Sequence, residues 1–116
     1  MIDHIQLAIP PGGEAEARAY YVGLLGFVEV PKPDELVSRG GAWFESGQVK
    51  LHLGVEADFQ PAHKAHPALL VDNLRELLAR LESENIIATH DVPFEGYERA
   101  HINDPFGNRI ELMQKV

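Results

Sequence analysis

The sequence predicts an α+β protein built of two tandem βαβββ modules, and three observations carry that reading. Short segments of alternating apolar and polar residues outnumber helical ones. In the first half they fall in the order strand, helix, strand, strand, strand. That order is then run through again, with a period of about sixty residues. The whole chain, 1–116, is read as one domain: module 1 over about 1–56, a linker over 57–65, and module 2 over about 66–116.

The first strand is Ile2 to Ile9, with Ile5, Leu7 and Ile9 on one face and His4, Gln6 and Ala8 on the other. Pro10-Pro11-Gly12-Gly13 ends it. A helix is expected over Glu14 to Leu25, since Ala17, Tyr20, Tyr21, Leu24 and Leu25 recur at helical spacing and Gly26 can end it. Phe27 to Val30 is the next strand, and Pro31 to Gly41 a loop. Ala42–Glu45 and Gln48–Val55 form a hairpin around Ser46-Gly47, with Val49, Leu51, Leu53 and Val55 on one face.

The second half opens on a strand over His66 to Val71. Asn73 caps a helix and Glu76 supplies the other side of a variant capping box. Leu74, Leu77, Leu78 and Leu81 give that helix its apolar stripe. Asn85 ends it, Ile86 to His90 is a strand, and Asp91 to Glu98 a loop. Arg99–Asn103 and Asn108–Gln114 form the last hairpin, turning through Asp104-Pro105-Phe106-Gly107.

Composition narrows the function classes. The 45% hydrophobic and 24% charged residues are those of an ordinary globular chain. Ten Lys and Arg against eighteen Asp and Glu leave a net charge of -8, which disfavours phosphate-backbone binding and argues against a nucleic-acid partner. There is no Cys, so disulfides, thiolate metal sites and cysteine nucleophiles are excluded together. No apolar run reaches the roughly 18 residues of a membrane span. No signal-peptide pattern follows Met1, and a cytoplasmic protein is expected. Six His in so short a chain is the compositional oddity.

The duplication turns scattered residues into a pattern. His4 and His66 stand at equivalent places on the opening strands, and His52 and Glu111 at equivalent places on the closing strands. Their apolar neighbours point the other way, so all four are expected on the face away from the core. Three imidazoles and a carboxylate suit Zn, Ni, Co, Fe or Mn rather than Ca or Mg. His4, His66 and Glu111 alone would make a 2-His-1-carboxylate set with open positions. His63 and His90 have no partner in the pattern and read as surface residues; Trp43 reads first as a packing residue.

These residues resemble the vicinal oxygen chelate superfamily, which includes glyoxalase I, bleomycin-resistance proteins, fosfomycin-resistance thiol transferases, methylmalonyl-CoA epimerase and extradiol dioxygenases. The most specific segments are Asp3 to Pro10, Tyr20 to Phe27, His66 to Asn73, and Asp104-Pro105-Phe106-Gly107-Asn108-Arg109-Ile110-Glu111-Leu112. The resemblance implies curved mixed sheets forming a cleft around one divalent metal, held by His4, His52, His66 and Glu111. His52 departs from bacterial glyoxalase I, which has Glu there. Glu111 would be the proton-shuttling base beside a metal-polarised carbonyl. Arg99 and His101, which share a face, would hold a substrate carboxylate and move a proton, with Phe94 and Tyr97 on a covering loop.

The expected function is a divalent-metal-dependent lyase or isomerase of the glyoxalase type, acting on a small oxygenated metabolite through an enolate-like intermediate. The alternatives are a metal-free binding protein of the bleomycin-resistance type, or an extradiol dioxygenase. The expected partners are a small-molecule substrate and a second copy of the chain, with no nucleic acid and no membrane. The modules are expected to pair within a chain or to be exchanged between two.

Overall fold

A computed structural model describes all residues from Met1 to Val116. The chain forms two compact units, Met1–Pro61 and Ala62–Val116, parted within the segment the sequence reads as a linker. Each is an open mixed sheet with helical segments, and strands outnumber helices.

In the first unit, β1 (Ile5–Ile9) leads into α1 (Glu14–Ala17), which passes directly into a π-helical turn over Arg18–Val22. The sequence predicts an unbroken helix to Leu25. Instead the N–H of Gly23 reaches the carbonyl of Arg18, and that of Leu25 the carbonyl of Tyr20. Wider turns of this kind bring consecutive residues toward one face, and Tyr20 and Tyr21 are both buried. Tyr21 packs on Phe44 at 5.8 Å and on Phe27 at 6.3 Å between ring centroids. Gly26, at φ 81°, reverses the chain in the left-handed region where a side chain would be strained.

Strands β2 (Val28–Val30), β3 (Ala42–Ser46) and β4 (Val49–Val55) complete a sheet of order β1-β4-β3-β2. β1 runs parallel to β4, and the β3–β4 hairpin is antiparallel. Between β2 and β3 the expected loop contains a short helix, α2 (Asp34–Val37). Leu7, Ile9, Phe44, Leu51 and Leu53 fill the core face, as their alternation demands.

The second unit repeats the plan in a reduced form. β5 (Ala68–Leu70) is parallel to β7 (Arg109–Lys115), which is antiparallel to β6 (Tyr97–Asn103), giving the order β5-β7-β6. The helix α3 (Leu74–Ser83) begins as expected: the Asn73 side chain accepts from the Glu76 N–H and its amide donates back to the Glu76 carboxylate. Leu74 and Leu81 are buried, Leu77 and Leu78 half-buried.

Three expectations for this half are corrected. The strand over Ile86–His90 is reduced to one bridge between Thr89 and His101, with Ile87 exposed. The opening strand starts at Ala68 rather than His66, because Pro67 lacks an N–H for a ladder. Tyr97 lies in β6 and not on a covering loop. The turn after β6 is held by Asp104, whose carboxylate accepts from the N–H groups of Phe106 and Asn108 and from the Asn108 amide.

Strand register makes the duplication concrete. In the first sheet Gln6, His52 and Trp43 stand opposite one another, and in the second Ala68, Glu111 and His101 do so. His4 is two residues before Gln6, and His66 two residues before Ala68. The equivalences His4–His66 and His52–Glu111 are therefore structural as well as sequential. Trp43 and His101 form a further equivalent pair.

Candidate metal centre

In the second unit, the two long strands place His101 and Glu111 directly opposite one another, and the segment before β5 supplies His66. Glu111 Oε1 lies 3.0 Å from His66 Nε2 and 3.3 Å from His101 Nε2. The three donor atoms all lie within 4.8 Å of one another. The Glu111 side chain is 5% exposed and that of His66 25%, so the cluster is sheltered while one imidazole edge reaches solvent. His66 and His101 meet edge to face, their ring centroids 5.3 Å apart.

Protonation favours metal binding. Burial lowers the His101 pKa, the positive charge of Arg109 adds to this, and the imidazole is held toward its neutral form. Burial alone would raise the Glu111 pKa. The hydrogen bond with His66 and the charges of His101 and Arg99 outweigh it, so the carboxyl lies below its ordinary value. A neutral imidazole and an ionised carboxylate are the forms that ligate a divalent ion.

His66 adds a geometric argument. Its Nδ1 lies 2.8 Å from the Lys64 carbonyl, which can only accept a hydrogen bond. With the proton on Nδ1, Nε2 of the neutral ring can turn its lone pair to a cation in place of its 3.0 Å hydrogen bond with Glu111 Oε1. A cation among Nε2, Oε1 and His101 Nε2 would take the place of that hydrogen bond. Orientation of a ligating imidazole by an outer carbonyl is also a usual feature of metal sites. Two nitrogens and one oxygen on this spacing fit a borderline divalent ion such as Zn, Ni, Co, Fe or Mn.

Of the residues the sequence nominates, His66 and Glu111 are thus brought together, and the third member of their cluster is His101, which the sequence cast as a proton carrier. Its register opposite Glu111 was the available signal. In the first unit His52 lies between two rings: Trp43 at 3.9 Å and 6° between planes, and His4 at 4.1 Å and 19°. His4 Nδ1 is 3.0 Å from Asp3, which Lys50 also approaches. Burial lowers the His52 pKa, and the nearby His4 lowers it further. Gln6 lies across Gly54, where a Cβ would stand 2.6 Å from its amide nitrogen.

Arg99 is not free to receive a substrate carboxylate. Its side chain is 9% exposed. Nε and Nη2 both donate to the Val92 carbonyl, and Nη1 donates to Glu111 Oε2 at 3.4 Å. Asp91 lies 3.8 Å from Nη2, and the Phe94 ring covers the guanidinium at 4.1 Å. Phe94 itself, as expected, is on the loop before β6.

Two open mixed sheets of repeated plan and a His/Glu cluster at the closing hairpin of the second define a class, and comparison with known proteins agrees. The family model of the Glyoxalase/Bleomycin resistance protein/Dioxygenase superfamily matches residues 1–112, and the chain belongs to that superfamily. A glyoxalase family protein from Bacillus anthracis is 45% identical, with a TM-score of 0.95 over 100% of this chain and 95% of its own. A lactoylglutathione lyase from Agrobacterium tumefaciens shares the fold at 19% identity and a TM-score of 0.70, over 95% of this chain and 91% of its own. So does an antibiotic-binding protein from a Streptomyces species, at 20% identity and a TM-score of 0.75, over 100% and 98% of the two chains. No curated protein matches the sequence. No helix is long and apolar enough to cross a membrane.

Proposed function

We propose that this protein is a divalent-metal-dependent enzyme of the glyoxalase type, a lyase or isomerase acting on a small oxygenated metabolite. The observation that carries the reading is the convergence of His66 Nε2 and His101 Nε2 on one oxygen of Glu111, with His66 Nδ1 turned to a carbonyl. His66, His101 and Glu111 would hold the ion, and a bound ion of this kind supplies Lewis acidity toward a substrate carbonyl.

The protein groups divide the remaining work. Glu111 contributes a fixed negative charge: both its oxygens are engaged, which makes it a poor proton acceptor. His101 closes the resting donor set at the longer distance, and its neutral form is favoured by burial. Its Nε2 lone pair cannot serve the ion and a proton at once, so in turnover the ion would rest on His66 and Glu111 while His101 takes a proton from the carbon beside the substrate oxygen. The sequence expectation that Glu111 is the base thus passes to His101. The resemblance gives His4 and His52 a ligand role as well, and their alanine variants test it separately.

Elemental analysis after exposure to Zn, Ni, Fe and Mn is the deciding measurement. About one equivalent of ion is expected in the wild type and close to none in His66→Ala or Glu111→Ala. His101→Gln is expected to keep the ion with lower affinity and to lose turnover of lactoylglutathione or a related substrate by about 10²-fold or more. A wild-type protein that takes up none of these ions overturns the enzyme reading in favour of a metal-free binding protein. The antibiotic-binding protein from Streptomyces makes that second reading concrete.

A further inference from the structure

Arg99 is the most constrained charged side chain near the cluster. One guanidinium edge holds the Val92 carbonyl, and Nη1 reaches Glu111 Oε2. The other carboxylate oxygen, Oε1, is the atom on which both imidazoles converge. The two oxygens of Glu111 are therefore assigned to different partners. The Val92 carbonyl and Asp91 fix the guanidinium from the loop side, with the ring of Phe94 lying against its face, so Oε2 faces an arginine that has little freedom to leave.

We propose that Arg99 is a positioning residue that makes Glu111 a one-oxygen ligand and thereby sets which divalent ions the site accepts. This rests on the metal-centre reading above and adds a determinant of selectivity to it. A carboxylate held by one oxygen, with two imidazole nitrogens, is a compact set suited to ions that bind nitrogen well at about 2.0–2.2 Å. A carboxylate free to bind through both oxygens suits larger ions that prefer oxygen. Arg99 withholds the second oxygen. Its planar fork lets it span Glu111 and Val92 at once, a geometry an ammonium does not reproduce.

The test compares Zn2+ and Mn2+ affinities, by chelator competition and by electron paramagnetic resonance, in wild type, Arg99→Gln, Arg99→Lys and Phe94→Ala. Loss of an outer partner typically weakens metal binding by about 10–100-fold. Arg99→Gln is expected to lose Zn2+ affinity on that scale while Mn2+ affinity is nearly kept, so the Zn2+/Mn2+ ratio falls by about tenfold or more. Arg99→Lys should fold even where the glutamine variant does not, and give an intermediate ratio. Phe94→Ala, which leaves the Arg99–Glu111 contact in place, should keep the wild-type ratio. An unchanged ratio in both Arg99 variants overturns the proposal while leaving the metal centre standing. An equal fall in Phe94→Ala also overturns it, by assigning the effect to the loop. Failure of the wild type to bind either ion removes the metal-centre reading and this proposal together.

Discussion

Residue identity at two equivalent positions separates the halves of this duplicated chain. The position opposite His52 is Trp43, and the position opposite Glu111 is His101. A tryptophan stacks on its neighbour, whereas a histidine adds a donor, so one half carries an aromatic stack and the other a three-donor cluster. The stack has a pH signature. His52 has a pKa below its ordinary 6.5, chiefly through burial, so the unfolded chain binds a proton more readily than the folded one. Stability from this residue is therefore present above about pH 6.5 and is lost as pH falls through the depressed folded value. His101 shifts the same way and adds to the effect. Metal-free His52→Phe keeps a ring between Trp43 and His4 but cannot titrate. Thermal melts between pH 7.5 and 5 should show a shallower pH slope in that variant than in the wild type, with His101 still contributing. A slope equal to that of the wild type would show that His52 is not a pH-linked group.

Elements with a strong local rule were legible in the sequence, and those decided by distant partners were not. The α3 stripe and its Asn73 cap follow from spacing and side-chain chemistry alone, and both form. The two hairpins follow from alternation bounded by Ser46-Gly47 and Asp104-Gly107, and they fix the register that brings His101 to Glu111. Ile86–His90 has strand composition, but composition does not supply a partner, and only Thr89 finds one. The π-helical turn arises from the need to bury adjacent tyrosines, which a period of 3.6 does not encode. Helix α2 is too short for any periodicity to show. At the site, alternation and duplication were enough to find His66 and Glu111, whereas the engagement of Arg99 by Val92 depends on a loop path that alternation says nothing about. The cap gives the prediction that belongs to this scale. Asn73→Ala should cost about 1 kcal/mol of stability, lowering the melting temperature by about 4 °C, while Asn73→Ser should lose much less. Equal losses in the two variants would mean that the Asn73 cap contributes nothing specific.

At the scale of the molecule, the feature left unbalanced is the open edge of each sheet. β1 and β2 bound the first sheet and β5 and β6 the second, β6 carrying only the Thr89 bridge, and Val28 on β2 and Leu70 on β5 keep 64% and 67% of their surface exposed. Unpaired edges with apolar side chains are normally blunted by charge or covered by another chain. Each unit also has only a small core of its own, so burial gained on association counts for much. We propose that the protein is a homodimer and that Leu70 is covered in it. The charge makes the proposal discriminating. Two copies each carrying a net -8 repel one another, so salt should tighten an association driven by apolar burial by screening that repulsion. An association held by ion pairs would weaken instead. Sedimentation equilibrium should give twice the 12.9 kDa chain mass at micromolar concentration, with a dissociation constant that falls by several-fold between about 0.05 and 0.5 M salt. Leu70→Glu should raise that constant by about tenfold or more, since it places a further negative charge on the covered edge. A monomer at all accessible concentrations, or a dimer indifferent to Leu70→Glu, would place the apolar edge outside any interface.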